Sequence, residues 1–82
     1  MSTLALEARA QEVWFDKDNM WIRFTDGRQL SIPLAYFPRL RNASEDQRKK
    51  YEISGGGIGL HWNEIDEDIS VPHLLTGNYA RI

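Results

Sequence analysis

From Gln11 onward, apolar and polar positions alternate with a period of two, the pattern of strands buried on one face. Val13 and Phe15 alternate with Glu12 and Trp14, the run Asp16-Lys17-Asp18-Asn19 supplies turn residues, and Met20, Ile22 and Phe24 then alternate with Trp21, Arg23 and Thr25. Opposed residues of an antiparallel pair share a face, so the pattern sets Phe15 against Met20 and Val13 against Ile22. On the reverse face it sets Trp14 against Trp21 and Glu12 against Arg23.

A third strand follows Asp26-Gly27, with Leu30 and Ile32 apolar between Gln29 and Ser31. A two-residue Asp-Gly turn would oppose Ile22 to Ser31 and mix the faces, because a slip of one residue inverts a strand. A three-residue loop, Thr25-Asp26-Gly27, opposes Ile22 to Leu30 and puts Gly27 where a bulged turn needs a left-handed residue. Pro33 cannot donate to a ladder and ends regular pairing.

Beyond it, Leu34 to Phe37 form a short turn, and Pro38 opens a brief helical segment through Arg41. Ser44 caps a second short helix, with Gln47 three residues on, Glu45 and Asp46 at its positive start, and Arg48, Lys49 and Lys50 at its end. Its first two turns carry no apolar stripe, so Tyr36, Phe37, Leu40 and Tyr51 must anchor it. Tyr51 and Ile53 begin a second hairpin, turned loosely by Gly55, Gly56 and Gly57, whose return strand places Ile58, Leu60 and Trp62 on one side. A last helix is expected with Ser70 as cap, Pro72 in its first turn and Gly77 as its stop; Leu74 and Leu75 close over the core. The expected fold is α+β: a three-stranded antiparallel meander, short helices, a second short hairpin and a C-terminal helix, all in one domain spanning residues 1–82. Residues 1–9 and 78–82 are expected to be loosely held.

Length and charge narrow the functions. A domain of 82 residues buries about 60–65% of its unfolded surface, so its stability margin is modest and a homodimer would add to it. Without cysteine there is no disulfide, thiolate metal site or cysteine nucleophile, which fits a reducing cytoplasm. No apolar run approaches the roughly 20 residues of a membrane span, and Glu7 and Arg9 interrupt any N-terminal signal sequence. A net charge of −2 argues against wrapping nucleic acid by bulk electrostatics. The charges are uneven, with Arg39, Arg41, Arg48, Lys49 and Lys50 in one segment and Glu64, Asp66, Glu67 and Asp68 in another. Exposure of both would make a dipolar surface that favours a complementary partner.

His61, Glu64, Asp66, Glu67, Asp68 and His73 are the one set with metal-ligand chemistry, but their spacing matches no zincin or EF-hand pattern. The favoured reading makes Asp66 or Asp68 a backbone cap where the chain turns toward its last helix and puts His61 on the polar face of a strand. The glycines lack the lysine and following helix of a phosphate loop; they suit a turn, or close approach by another backbone. The basic segment suits a solvated face or a protein contact better than a nucleic-acid track. With the charged helix over the aliphatic face, Trp14 and Trp21 are left on the other side of the sheet. There they form a contact surface, or they are covered by the N-terminal segment or the final helix.

The segments PRLRNAS (38–44), GGGIGLHW (55–62) and DEDIS (66–70) followed by Leu74-Leu75 resemble the domain-of-unknown-function family 2442, and FTDG (24–27) is similar to that family's second hairpin. The resemblance spans roughly residues 10 to 77. It implies a small bacterial or phage α+β domain, sometimes fused to a helix-turn-helix module and sometimes encoded beside a small partner in suspected toxin–antitoxin pairs, with no established catalytic residues. The 82 residues show no helix-turn-helix extension of their own, so nucleic acid is expected only through a partner.

The favoured reading is therefore a non-enzymatic, cytoplasmic protein-interaction module, antitoxin-like or regulatory. It binds an adjacent-gene product or itself through Trp14, Trp21, Arg23, Arg41, Arg48 and Lys49. Gly27, Ser44, the three glycines, His61, Trp62, Asp66 and Asp68 have structural roles, and no cofactor or metal is required. The alternatives are a metal-dependent enzyme built on His61, Asp66 and Asp68, and a nucleic-acid-binding regulator.

Overall fold

The computed structural model describes residues 8–77. Strands β1 (Ala10–Phe15), β2 (Asn19–Phe24) and β3 (Gln29–Pro33) form an antiparallel sheet in the order β1-β2-β3. The register is the one that alternation requires: Phe15 opposes Met20, Val13 opposes Ile22, Trp14 opposes Trp21, Glu12 opposes Arg23 and Ile22 opposes Leu30. An irregularity between Ala10 and Glu12 bulges the start of β1. The β2–β3 loop has three residues, closed by the Phe24 N–H on the Arg28 carbonyl at 2.8 Å, and Gly27 takes the left-handed position with φ 92°.

After Pro33 come a 3-10 turn (Leu34–Tyr36), helix α1 (Pro38–Arg41) and helix α2 (Glu45–Lys49). The Ser44 hydroxyl accepts from the Gln47 N–H and the Gln47 side chain accepts from the Ser44 N–H, a complete capping box. No residue of α2 is buried. The helix is held by polar contacts at its end: Arg48 donates to the Leu40 and Arg41 carbonyls and stacks 5.3 Å from the Phe15 ring centre, and the Arg48 carbonyl accepts from Trp62 Nε1.

Strands β4 (Tyr51–Ser54), β5 (Gly59–Trp62) and β6 (Glu67–Ser70) build a second antiparallel sheet, so the second hairpin gains a third strand. The acidic run is where the difference lies. Asp66 sits at φ 55° in the β5–β6 turn, and Asp68 pairs across from His61 within β6. Neither therefore caps the last helix, α3 (Val71–Thr76), and the Ser70 side chain makes no cap bond either. Instead the Val71 N–H donates to the Ile58 carbonyl at 2.9 Å, while Pro72 has no N–H to satisfy. Gly77, at φ 79°, stops the helix as expected.

The inner faces of both sheets, with Phe37 and Leu40 from the connection and Val71 and Leu74 from α3, share one core. The second sheet gives this core Leu60, Trp62 and Ile69, whereas the charged helix gives it no buried residue. Leu60 and Trp62 are fully buried in that core, but Ile58 stays in the glycine turn and is 41% exposed, because β5 begins only at Gly59. Two hydrogen bonds tie β1 to the second sheet, from the Ala10 N–H to the Gly57 carbonyl (2.8 Å) and from the Val13 N–H to Tyr51 Oη (3.2 Å). Gly57 leaves no room for a side chain, since a Cβ there would lie 2.9 Å from the Ala10 nitrogen. Ala8 is buried and the Arg9 carbonyl accepts from the Thr25 N–H, so residues 8 and 9 are fastened. The expectation for 1–7 and 78–82 falls outside the described residues. No helix among those described is long and apolar enough to cross a membrane.

Candidate functional site: a pinned indole ladder

The outer face of the first sheet carries a cross-strand row of side chains. Trp14 and Trp21 stack with ring centres 6.0 Å apart and planes 8° from parallel, the offset arrangement that aromatic quadrupoles favour. The Arg23 guanidinium lies 5.8 Å from the Trp14 ring centre and is ion-paired with Glu12. At the other end Trp21 Nε1 donates to Asp16 Oδ2 at 2.7 Å, while Asp16 Oδ1 accepts from the Asp18 and Asn19 N–H groups. These bonds, the one from Trp21 first among them, hold the Asp16 carboxyl below its ordinary pKa. Both indoles are half-buried, so packing alone does not fix them. A carboxylate at each end does.

Asp16 is the residue that sequence reasoning missed in this role. Its signal is the Asp-x-Asp-Asn turn itself, in which an aspartate bonding the N–H groups two and three residues on also turns an oxygen toward a side chain five residues away.

The basic segment does not join this row as one patch. Arg48 is tied to the carbonyls at the end of α1, Lys50 is ion-paired with Glu64 at 2.7 Å, and Arg39 reaches the Asp66 carbonyl with Glu67 Oε1 at 3.9 Å. The expected dipolar surface is thus partly neutralised within the chain. Arg41 and Lys49 are exposed, with no side-chain partner among the described residues. Glu67, on the inner face opposite Trp62, is desolvated enough for burial to push its carboxyl up despite Arg39.

His61 lies on the polar face of the second sheet, with Glu52 and Asp68 as its cross-strand neighbours. Its Nδ1 meets Asp68 Oδ1 and its Nε2 meets Asn63 Oδ1, while Asn63 Nδ2 donates to Glu52 Oε2 and so fixes the amide. Both ring nitrogens face acceptors, and only the doubly protonated imidazolium satisfies both. The Asp68 bond, followed by the Asn63 bond, accordingly raises the His61 pKa above the ordinary 6.5. A raised folded-state pKa means that this stabilisation is complete below the unfolded value and lost as pH rises through the folded one. The melting temperature of the native chain is therefore expected to fall relative to that of His61→Gln as pH rises from 6 to 9. Parallel profiles for the two proteins in a thermal scan would contradict the network. Among the described residues no three His, Asp or Glu side chains gather as metal ligands, and the trio His61, Asp66 and Asp68 is not assembled.

Compared with known families, residues 10–80 match the model described as a protein of unknown function, DUF2442. The chain belongs to this family. A crystal structure of a protein of unknown function from Rhodospirillum rubrum is similar, with 34% sequence identity and a TM-score of 0.73 over 87% of this chain and 88% of that one. No curated protein matches. In this DUF2442 chain the half-buried indole row is an ordered array on the outer face of the first sheet.

Proposed function

We propose that the chain is a non-enzymatic protein-interaction module of the cytoplasm and that the outer face of its first sheet is the docking surface. The observation that carries this reading is the Trp14–Trp21 stack, half-exposed and pinned at both ends. Two indoles held in one orientation lose little conformational freedom when a partner covers them, which is why large rigid aromatics dominate interface energies. Arg23 adds a cation beside them whose charge Glu12 balances. A role as the partner-binding half of a two-protein system, antitoxin-like or regulatory, fits a small domain whose outer face carries this row. The same face would also serve a second copy.

Trp21→Ala tests this. The product of the neighbouring gene is titrated against the chain while tryptophan emission is followed. Binding is expected to shift emission in the native chain and to weaken by about 30-fold in the variant, the scale of an aromatic anchor. The circular dichroism of the variant should be native, because Trp21 is not part of the buried core. Equal affinity of the two proteins would remove the indoles from the interface.

A further inference from the structure

Strand β1 is an edge of its sheet, and its outward N–H groups are closed at two places and open at a third. The Asp16 N–H bonds the Asn19 carbonyl, so Glu12, Trp14 and Asp16 turn their backbone groups toward β2, and by alternation Val13 and Phe15 turn theirs away. The Val13 N–H is taken by Tyr51 Oη, and beyond the bulge the Ala10 N–H is taken by the Gly57 carbonyl. Among the described residues the Phe15 N–H and the Val13 and Phe15 C=O groups remain unpaired, beside the space between β1 and α2. Natural sheet edges are usually guarded by a proline, a bulge or a covering segment. The bulge of β1 lies at its other end, and no proline stands near Phe15.

That space is a half-open groove of about 780 Å³, lined by Trp14, Phe15 and Lys17 from the first hairpin, Arg48 and Lys49 from α2, and Tyr51. It has the volume of a site for a short peptide rather than a single side chain. Three cations line it against two carboxylates, Asp16 and Glu45, and the Asp16 oxygens are turned to the hairpin N–H groups and Trp21. Arg48 is bonded to neutral carbonyls that leave its charge uncompensated, and the Lys17 and Lys49 side chains are exposed without a partner among the described residues.

From this geometry we propose that the groove binds an extended segment of a partner protein, alternating apolar and acidic side chains, which adds to β1 as a short strand through the Phe15 N–H and C=O. Apolar side chains of the segment lie on Trp14, and acidic ones face Arg48, Lys49 and Lys17. Pairing of β1 with its own image in a second copy would bring the three cations of each groove together, which disfavours self-association here. The inference rests on the docking-face reading above, because Trp14 belongs to both surfaces.

The test uses the full chain as bait for a displayed library of random dodecapeptides, with the enriched sequences resynthesised. Enrichment of alternating apolar and acidic residues is expected, and saturation with such a peptide should slow amide exchange at Phe15 by at least about tenfold. Lys17→Glu with Lys49→Glu should weaken binding by about five- to 25-fold, the effect of one to two screened ion pairs. No enrichment, enriched peptides without acids, unchanged Phe15 exchange, or a dimer that protects Phe15 with no peptide present would each overturn the proposal. Peptides that require Trp21 yet leave Phe15 exchange unchanged would remove the groove and keep the docking face. Peptides that protect Phe15 and are weakened by Trp14→Ala but not by Trp21→Ala would keep the groove and remove the docking face.

Discussion

Trp62→Ala is expected to remove a large share of the stability of the fold at 25 °C. Trp62 is fully buried, its ring is packed edge-on by Phe15 at 6.5 Å and tilted against Tyr51 at 6.4 Å, and its Nε1 holds the Arg48 carbonyl that ends α2. Truncation empties the middle of the core and leaves that carbonyl without its donor. Losses of about 3–5 kcal/mol are usual for buried tryptophan and phenylalanine, against a total of about 4–12 kcal/mol for a chain of this length. Trp62→Phe keeps a ring in place and gives up mainly the hydrogen bond and part of the volume, so it should cost about 1–3 kcal/mol. Urea denaturation followed by circular dichroism separates the two. A Trp62→Ala midpoint close to the native one would mean that the two sheets do not share this residue.

Gly57→Ala should be the most damaging of the glycine substitutions, although Gly56 is its immediate neighbour. Gly57 stands at φ 111°, and an added Cβ would lie 2.7 Å from the Arg9 Cβ and 2.9 Å from the Ala10 nitrogen. The strain of the backbone and the displacement of β1 together cost about 2–5 kcal/mol. Gly56, at φ 69°, has nothing within 4 Å of the same construction, so alanine there meets only the left-handed penalty of about 1–2 kcal/mol. Comparing the melting temperatures of the two variants measures the contact itself. Equal destabilisation would show that Ala10 does not lean on the turn.

The parts of this fold that could be read from the chain are those fixed by neighbours in sequence. Met20, Ile22 and Phe24 announce an inner face by alternation alone, Gly27 declares a three-residue loop because a two-residue turn inverts β3, and Ser44 with Gln47 forms a cap whose two halves are three residues apart. Strand β6 was hidden because its four residues carry two carboxylates. Its extended form depends on His61 across the ladder to receive Asp68, and nothing within the acidic run supplies that partner. The same distance effect hid the pairing of Lys50 with Glu64, which the fold brings together across 14 positions. The indoles were legible as a facing pair, but not the carboxylate at Asp16 that orients one of them.

The order of strands along the chain has a kinetic consequence. Every ladder joins strands that follow one another directly, so each meander closes only short loops, which form early and at small entropic expense. The union of the two relies instead on Ala10 finding Gly57 and Val13 finding Tyr51, the latter 38 positions away. The slow step of assembly then belongs to the encounter of two nascent half-cores, and the glycine turn acts as the latch that decides when that encounter becomes permanent.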